Sequence, residues 1–139
     1  MRVLYTDGGS RNNGSAAQAA RMAVYDDQTG AIVVEREIGS LTNNEAEYWA
    51  IQAALQYAAV QAMGPVVIRS DSQLCVQQIN GNWRVKEARL IPLVQNVRQA
   101  LASNRGIVEW VPRERNPAGH YLERAATITE DTRPPDADR

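Results

Sequence analysis

The sequence predicts one α/β domain built on a mixed sheet, with three strands in antiparallel succession followed by strands that alternate with helices. Three observations carry this reading. Residues 2–38 hold three strand-like runs separated by turn-forming stretches. An Ala-rich run of helical length comes next, apolar on most sides and so expected between other elements rather than on the surface. Then Pro65-Val66-Val67-Ile68-Arg69 gives a short continuous apolar run of the kind buried on both sheet faces.

Each element has its own signals. Residues 2–7 form the first strand, ending in Asp7-Gly8-Gly9, and the turn-rich Asn12-Asn13-Gly14-Ser15 follows. Residues 20–26 and 31–38 are the second and third strands, reversed by Asp26-Asp27-Gln28-Thr29-Gly30. Thr42-Asn43-Asn44 caps a helix running through residues 46–62, with Glu45 and Glu47 expected in its first turn. Ser70-Asp71-Ser72 closes the buried fourth strand and caps a short helix over 72–80, which Asn80-Gly81-Asn82 breaks. Leu90, Leu93, Val94, Val97 and Leu101 recur at helical spacing, with Pro92 near the start where proline is tolerated. Residues 106–111 are the last strand, and Pro117 opens a final helix to about Ala126. The acidic tail over 127–139 is expected to be disordered.

Composition narrows the function classes. A chain of 139 residues with 44% hydrophobic content suits one ordinary core, filled without any Phe. The single cysteine, Cys75, rules out an internal disulfide or a cysteine-based zinc site, and is expected in the core. The first residues lack signal-peptide features and no run reaches transmembrane length, so a cytoplasmic protein is expected. The formal charge of −1 is not that of a generic nucleic-acid binder, although clustered metal-binding acids lower the sum without removing a basic groove.

Three acids fall at element ends: Asp7, Glu47 and Asp71. Brought together they would repel unless divalent cations joined them, and all-oxygen ligands suit Mg²⁺ or Mn²⁺. Taken singly, each also suits a cap or turn, and spacing does not show that they meet. Gly8 and Gly9 remove side chains just after Asp7, which lets another backbone come close.

Tyr5-Thr6-Asp7-Gly8-Gly9-Ser10, Thr42-Asn43-Asn44-Glu45-Ala46-Glu47-Tyr48 and Ser70-Asp71-Ser72-Gln73-Leu74 resemble three successive motifs of the type 1 ribonuclease H family, in order and at its separations. Gln78-Ile79-Asn80-Gly81-Asn82-Trp83 and Leu90-Ile91-Pro92-Leu93 resemble its compact form, without the basic handle insertion. The resemblance spans residues 1 to about 126. It implies a ribonuclease H-like fold with a five-stranded mixed sheet, and hydrolysis of the RNA strand of RNA–DNA hybrids with two divalent ions, leaving 5′-phosphate and 3′-hydroxyl ends. Asp7 would bridge both ions, with Glu47 and Asp71 completing the one beside the leaving oxygen. Gly8 and Gly9 would meet RNA 2′-hydroxyls, Asn43, Asn44 and Gln73 the hybrid minor groove, and Thr42 a DNA phosphate. A monomer is the default.

One position departs from the family. An Asp is normally found four residues after the Asn matched by Asn116; here it is His120, the only histidine of the chain. Three readings stay open: His120 is itself a ligand, favouring Mn²⁺; Glu123, about a turn later, reaches in instead; or the site is incomplete. The last would leave a catalytically impaired hybrid-binding module, and a nuclease for another duplex such as double-stranded RNA is the further alternative. The family's separate product-release histidine has no counterpart, so slow turnover is expected. Trp83, Arg84, Lys86 and Arg89 read either as a nucleic-acid contact or as a solvated loop around one buried Trp. Arg113, Glu114 and Arg115 read as phosphate contacts or as a surface charge run, and Tyr48 and Trp49 as packing.

Overall fold

The computed structural model describes residues 1–10 and 19–132, with side chains up to residue 125. The turn expected over residues 12–15 and the end of the tail, 133–139, lie outside the described residues. Five strands appear: β1 (Arg2–Ser10), β2 (Ala19–Asp26), β3 (Ala31–Ser40), β4 (Val66–Ser70) and β5 (Ile107–Trp110). The helices are α1 (Asn43–Val60), α2 (Gln73–Ile79), α3 (Ile91–Asn104) and α4 (Pro117–Thr132), with single 3-10 turns at Ala88–Leu90 and Arg113–Arg115. The sheet order is β3-β2-β1-β4-β5: β1–β2 and β2–β3 are antiparallel, β1–β4 and β4–β5 parallel. The expected α/β class and mixed five-stranded sheet are both found.

Alternation along β1 sorts its side chains between two layers. Leu4, Thr6 and Gly8 lie on the face covered by α1, in register with Asp26, Val24 and Met22. There Leu4, Met22, Val24, Val66 and Ile68 pack against Ala50, Ile51, Ala54 and Ala58 of α1 to make the main core. The many alanines let the helix lie close to the sheet, and α2 and α3 close over its other side. Asp7 and Gly9 point to the opposite face, which α4 crosses.

Several boundaries differ from expectation. β1 continues three residues beyond Asp7, because Gly8, Gly9 and Ser10 stay paired with β2 after the parallel pairing with β4 has ended at Thr6–Ser70. Asp7 therefore marks the end of the parallel pairing, not the end of its strand. Glu47 lies beyond the first turn of α1, where Glu45 instead completes a capping box with Thr42. α4 runs to Thr132, six residues past the expected end and into the stretch read as a disordered tail. Trp49 is not packed: it is 45% exposed, whereas Tyr48 is fully buried. Trp83, read either as a nucleic-acid contact or as the buried Trp of a solvated loop, is 45% exposed. Cys75 is buried as expected, and that burial pushes its thiol up to about 12, an inert group. No helix among the described residues is long and apolar enough to cross a membrane.

Candidate active site

The site forms where β1 and β4 stop pairing. Asp7 comes from β1, Asp71 directly follows β4, and Glu47 reaches in from α1. Their carboxylate oxygens lie within 4.8 Å of one another. Glu47 arrives there because Gly8 has no side chain: a Cβ on Gly8 would sit 2.2 Å from the Ala46 carbonyl oxygen, so only glycine lets α1 press this close to β1. The same contact lets the Gly8 amide donate to Glu47 Oε1 at 2.8 Å. One turn earlier, Asn43 Oδ1 accepts from the Ser10 amide at 2.6 Å, so the α1 start and the β1 end are pinned together twice.

Asn116 fixes the third wall. Its fully buried amide donates to the Thr6 carbonyl at 2.9 Å and to Asp71 Oδ2 at 2.8 Å, and its Oδ1 accepts from the Ala118 amide at 3.1 Å. One side chain thus caps α4 and sets it against β1 and the end of β4. Behind it, Gly119 passes next to the acids; a Cβ there would lie 3.4 Å from Asp71 Oδ2 and 3.5 Å from Asp7 Oδ2. Neither Asn116 nor Gly119 was singled out from the sequence as part of the site. The available signals were an Asn just before a helix-opening Pro and a Gly inside the first helical turn.

The acids carry the mark of crowding. Burial, then the Asp71 charge, pushes Asp7 up to about 7 against the opposing pull of Arg113. Glu47 is raised well above the ordinary carboxylate range by burial and then by Asp7. Three oxygen donors so placed fit a hard divalent cation, whose charge would relieve the same repulsion.

His120 and Glu123, the two candidates for the fourth position, stand on different sides of α4. On α4 successive residues turn by about 100°, so Gly119 and Glu123 share the face over Asp7 while His120 turns away. His120 lines a separate cavity of about 500 Å³ with Tyr25, Gly30, Ile32, Tyr121 and Arg124. Glu123 instead borders the recess that contains Asp7, Gly9, Ser10 and Arg21. Between Glu123 and the acids stands Arg113, which reaches over from its 3-10 turn. Its Nη1 lies 3.5 Å from Asp7 Oδ1 and 3.5 Å from Asp71 Oδ2, and its Nη2 2.8 Å from Glu123 Oε1.

The remaining expected residues spread from this corner. Gly9, Asn43 and Asn44 adjoin it, Thr42 caps α1, and Gln73 is exposed at the start of α2. Further along, exposed Trp83 lines a groove of about 510 Å³ with Leu74, Gln78, Arg84 and Lys86.

A family model described as reverse transcriptase-like matches residues 5–126. The fold also matches ribonuclease H1 of Halobacterium salinarum with a TM-score of 0.75 at 32% identity, over 91% of this chain and 98% of that one. This chain belongs to the type 1 ribonuclease H family. A second ribonuclease H1, LC11-RNase H1, solved in complex with an RNA/DNA hybrid, matches with a TM-score of 0.72 at 30% identity, over 91% of this chain and 99% of that one. Among curated proteins, the bifunctional protein Rv2228c of Mycobacterium tuberculosis is 40% identical over 117 residues, 82% of this chain and 32% of that protein. The ribonuclease HI of Halobacterium salinarum is 37% identical over 118 residues, 81% of this chain and 57% of that protein. The chain therefore spans about a third to a little over half of these curated relatives.

Proposed function

We propose that this chain is a ribonuclease H that hydrolyses the RNA strand of RNA–DNA hybrids, with residues 1–126 as its catalytic domain. The observation that carries the reading is the meeting of Asp7, Glu47 and Asp71 within 4.8 Å at the end of the β1–β4 pairing, in a chain of this family. Asp7, Glu47 and Asp71 hold the divalent ions, Mg²⁺ or Mn²⁺, and Glu123 takes the fourth place in preference to His120. When bound, two such ions stabilise the attacking and leaving oxygens of the phosphodiester, giving 5′-phosphate and 3′-hydroxyl ends.

The chain's own groups position the substrate. The Gly8 and Gly9 backbone offers close approach to the RNA strand and its 2′-hydroxyls. Asn43 is held by Ser10, so its amide group is preset beside the acids; it contacts the minor groove with Asn44 and Gln73. Thr42 takes a DNA phosphate. Trp83, Arg84 and Lys86 supply an exposed aromatic beside two cations, the combination that stacks sugars or bases and meets phosphates.

The test is cleavage of a labelled RNA–DNA hybrid with Mg²⁺ or Mn²⁺, using wild type beside Asp7→Asn, Glu123→Ala and His120→Ala. Cleavage of the RNA strand, lost in Asp7→Asn, supports the assignment. Hybrid binding without cleavage under either ion would replace it with a binding module. Faster cleavage of double-stranded RNA than of the matched hybrid would reassign the substrate.

A further inference from the structure

Arg113 occupies an unusual place for a surface arginine. Its guanidinium spans the mouth of the carboxylate corner: Nη1 faces Asp7 and Asp71, while Nε at 3.0 Å and Nη2 at 2.8 Å both donate to the same Glu123 oxygen. The two sides of this contact are unequal. The bonds to Glu123 have the length of charge-assisted hydrogen bonds, whereas 3.5 Å to Asp7 and Asp71 is long for one. Glu123 therefore anchors the guanidinium, and the buried acids attract it without closing fully on it. Among the described residues, Arg113 is the cation that lowers the raised proton affinity of both Asp7 and Glu47. Arg21 borders the same recess, but its guanidinium is paired with Glu35.

We propose that Arg113 is a built-in competitor for the divalent cation, a monovalent placeholder that Glu123 holds over Asp7 and Asp71 and that a cation must displace to load the site. The proposal rests on the metal-site reading above and deepens it. A guanidinium cannot be discharged near neutral pH, so it leaves only by moving. Its half-exposed side chain, on a short turn rather than in the core, has room to do so. Displacement also breaks the Arg113–Glu123 pair, so one movement removes the competing charge and releases that contact of the fourth carboxylate. The consequence is a site that fills only at higher cation concentration than its three buried acids would otherwise require.

The test is calorimetric titration of the full chain with Mn²⁺ alone, without nucleic acid. Arg113→Ala should bind Mn²⁺ about tenfold more tightly than wild type, the order expected from removing one nearby unit charge in partly solvated surroundings. Arg115→Ala, which removes the same charge two residues away, should stay within about twofold and separates displacement from the general field. Nitrogen-15 spectra give a second readout: the Arg113 Nε–H resonance should move as Mg²⁺ is added, while that of Arg115 stays in place. Unchanged or weaker Mn²⁺ binding by Arg113→Ala, or an unmoved Arg113 resonance at saturating Mg²⁺, overturns the proposal while hybrid cleavage still stands on its own assay. Binding of Mn²⁺ by neither protein overturns both the placeholder and the metal-site reading.

Discussion

The site has two halves made in different ways. On one side, Asp7 and Asp71 have side chains 5% and 7% exposed, and Glu47 is tied to the β1 backbone through the Gly8 amide. On the other, Arg113 and Glu123 have side chains 50% and 59% exposed, and the pair hangs from a short turn and one helix face. The first half is held by packing and backbone bonds. The second is held by exposed, charge-assisted contacts, the kind that exchange with ions and weaken with salt. The difference separates a buried corner that holds the three acids from an exposed rim whose charges face them.

The comparison can be broken most severely at Asp7. Asp7→Asn should reduce hybrid cleavage to background while the protein remains folded, as followed by circular dichroism beside the cleavage assay. Asn116→Ala comes next, since it removes the amide that joins Asp71, Thr6 and the start of α4. A loss of roughly 10- to 100-fold in cation affinity or activity is expected, and an unchanged Mn²⁺ titration would show that α4 is positioned by other contacts.

Gly8→Ala tests the rigid half through stability. Its Cβ would meet the Ala46 carbonyl at 2.2 Å, so β1 and α1 must separate. A cost of about 1–3 kcal/mol is expected, read as a lower Tm, with hybrid cleavage falling in parallel because Glu47 moves.

A smaller effect is expected from pH. The folded-state pKa of Asp7 is raised, so between the ordinary carboxylate range and about 7 the folded, cation-free chain binds more protons than the unfolded one. Its contribution to stability is therefore full in acid and is lost as pH rises through about 7. Thermal scans in chelator should show Tm falling across this window, with the slope reduced in Asp7→Asn and opposed by added Mg²⁺. The smallest effect belongs to His120→Ala, which should leave hybrid cleavage within about twofold. A large loss there would return the fourth position to His120.

Most of the fold was legible because hydrophobic patterning and turn chemistry are local. The three-strand meander, the packed Ala-rich α1, the buried β4 and the α3 stripe all carry their own periodicity, and each was found within a few residues of its expected place. Trp49 was misjudged, and Trp83 left open, because an aromatic has no local signal for which side of a groove it will line. The site was legible as far as motifs carry chemistry. Asp7, Glu47 and Asp71 stand in recognisable sequence contexts, and they converge.

The amino-acid sequence by itself determined the element order, the mixed sheet, the family and the three acids, since periodicity, caps and motif spacing are all written along the chain. Only the tertiary structure separates the two candidates for the fourth position. His120 and Glu123 lie three residues apart on one helix, and both stand in or beside the last motif. Which of them faces Asp7 depends on how α4 is rotated on the sheet. The buried Asn116 amide ties the start of α4 to groups 45 and 110 residues away in sequence. Arg113 follows the same logic, as an exposed charge becomes a contact of the site only when folding carries Asp7 and Asp71 to it.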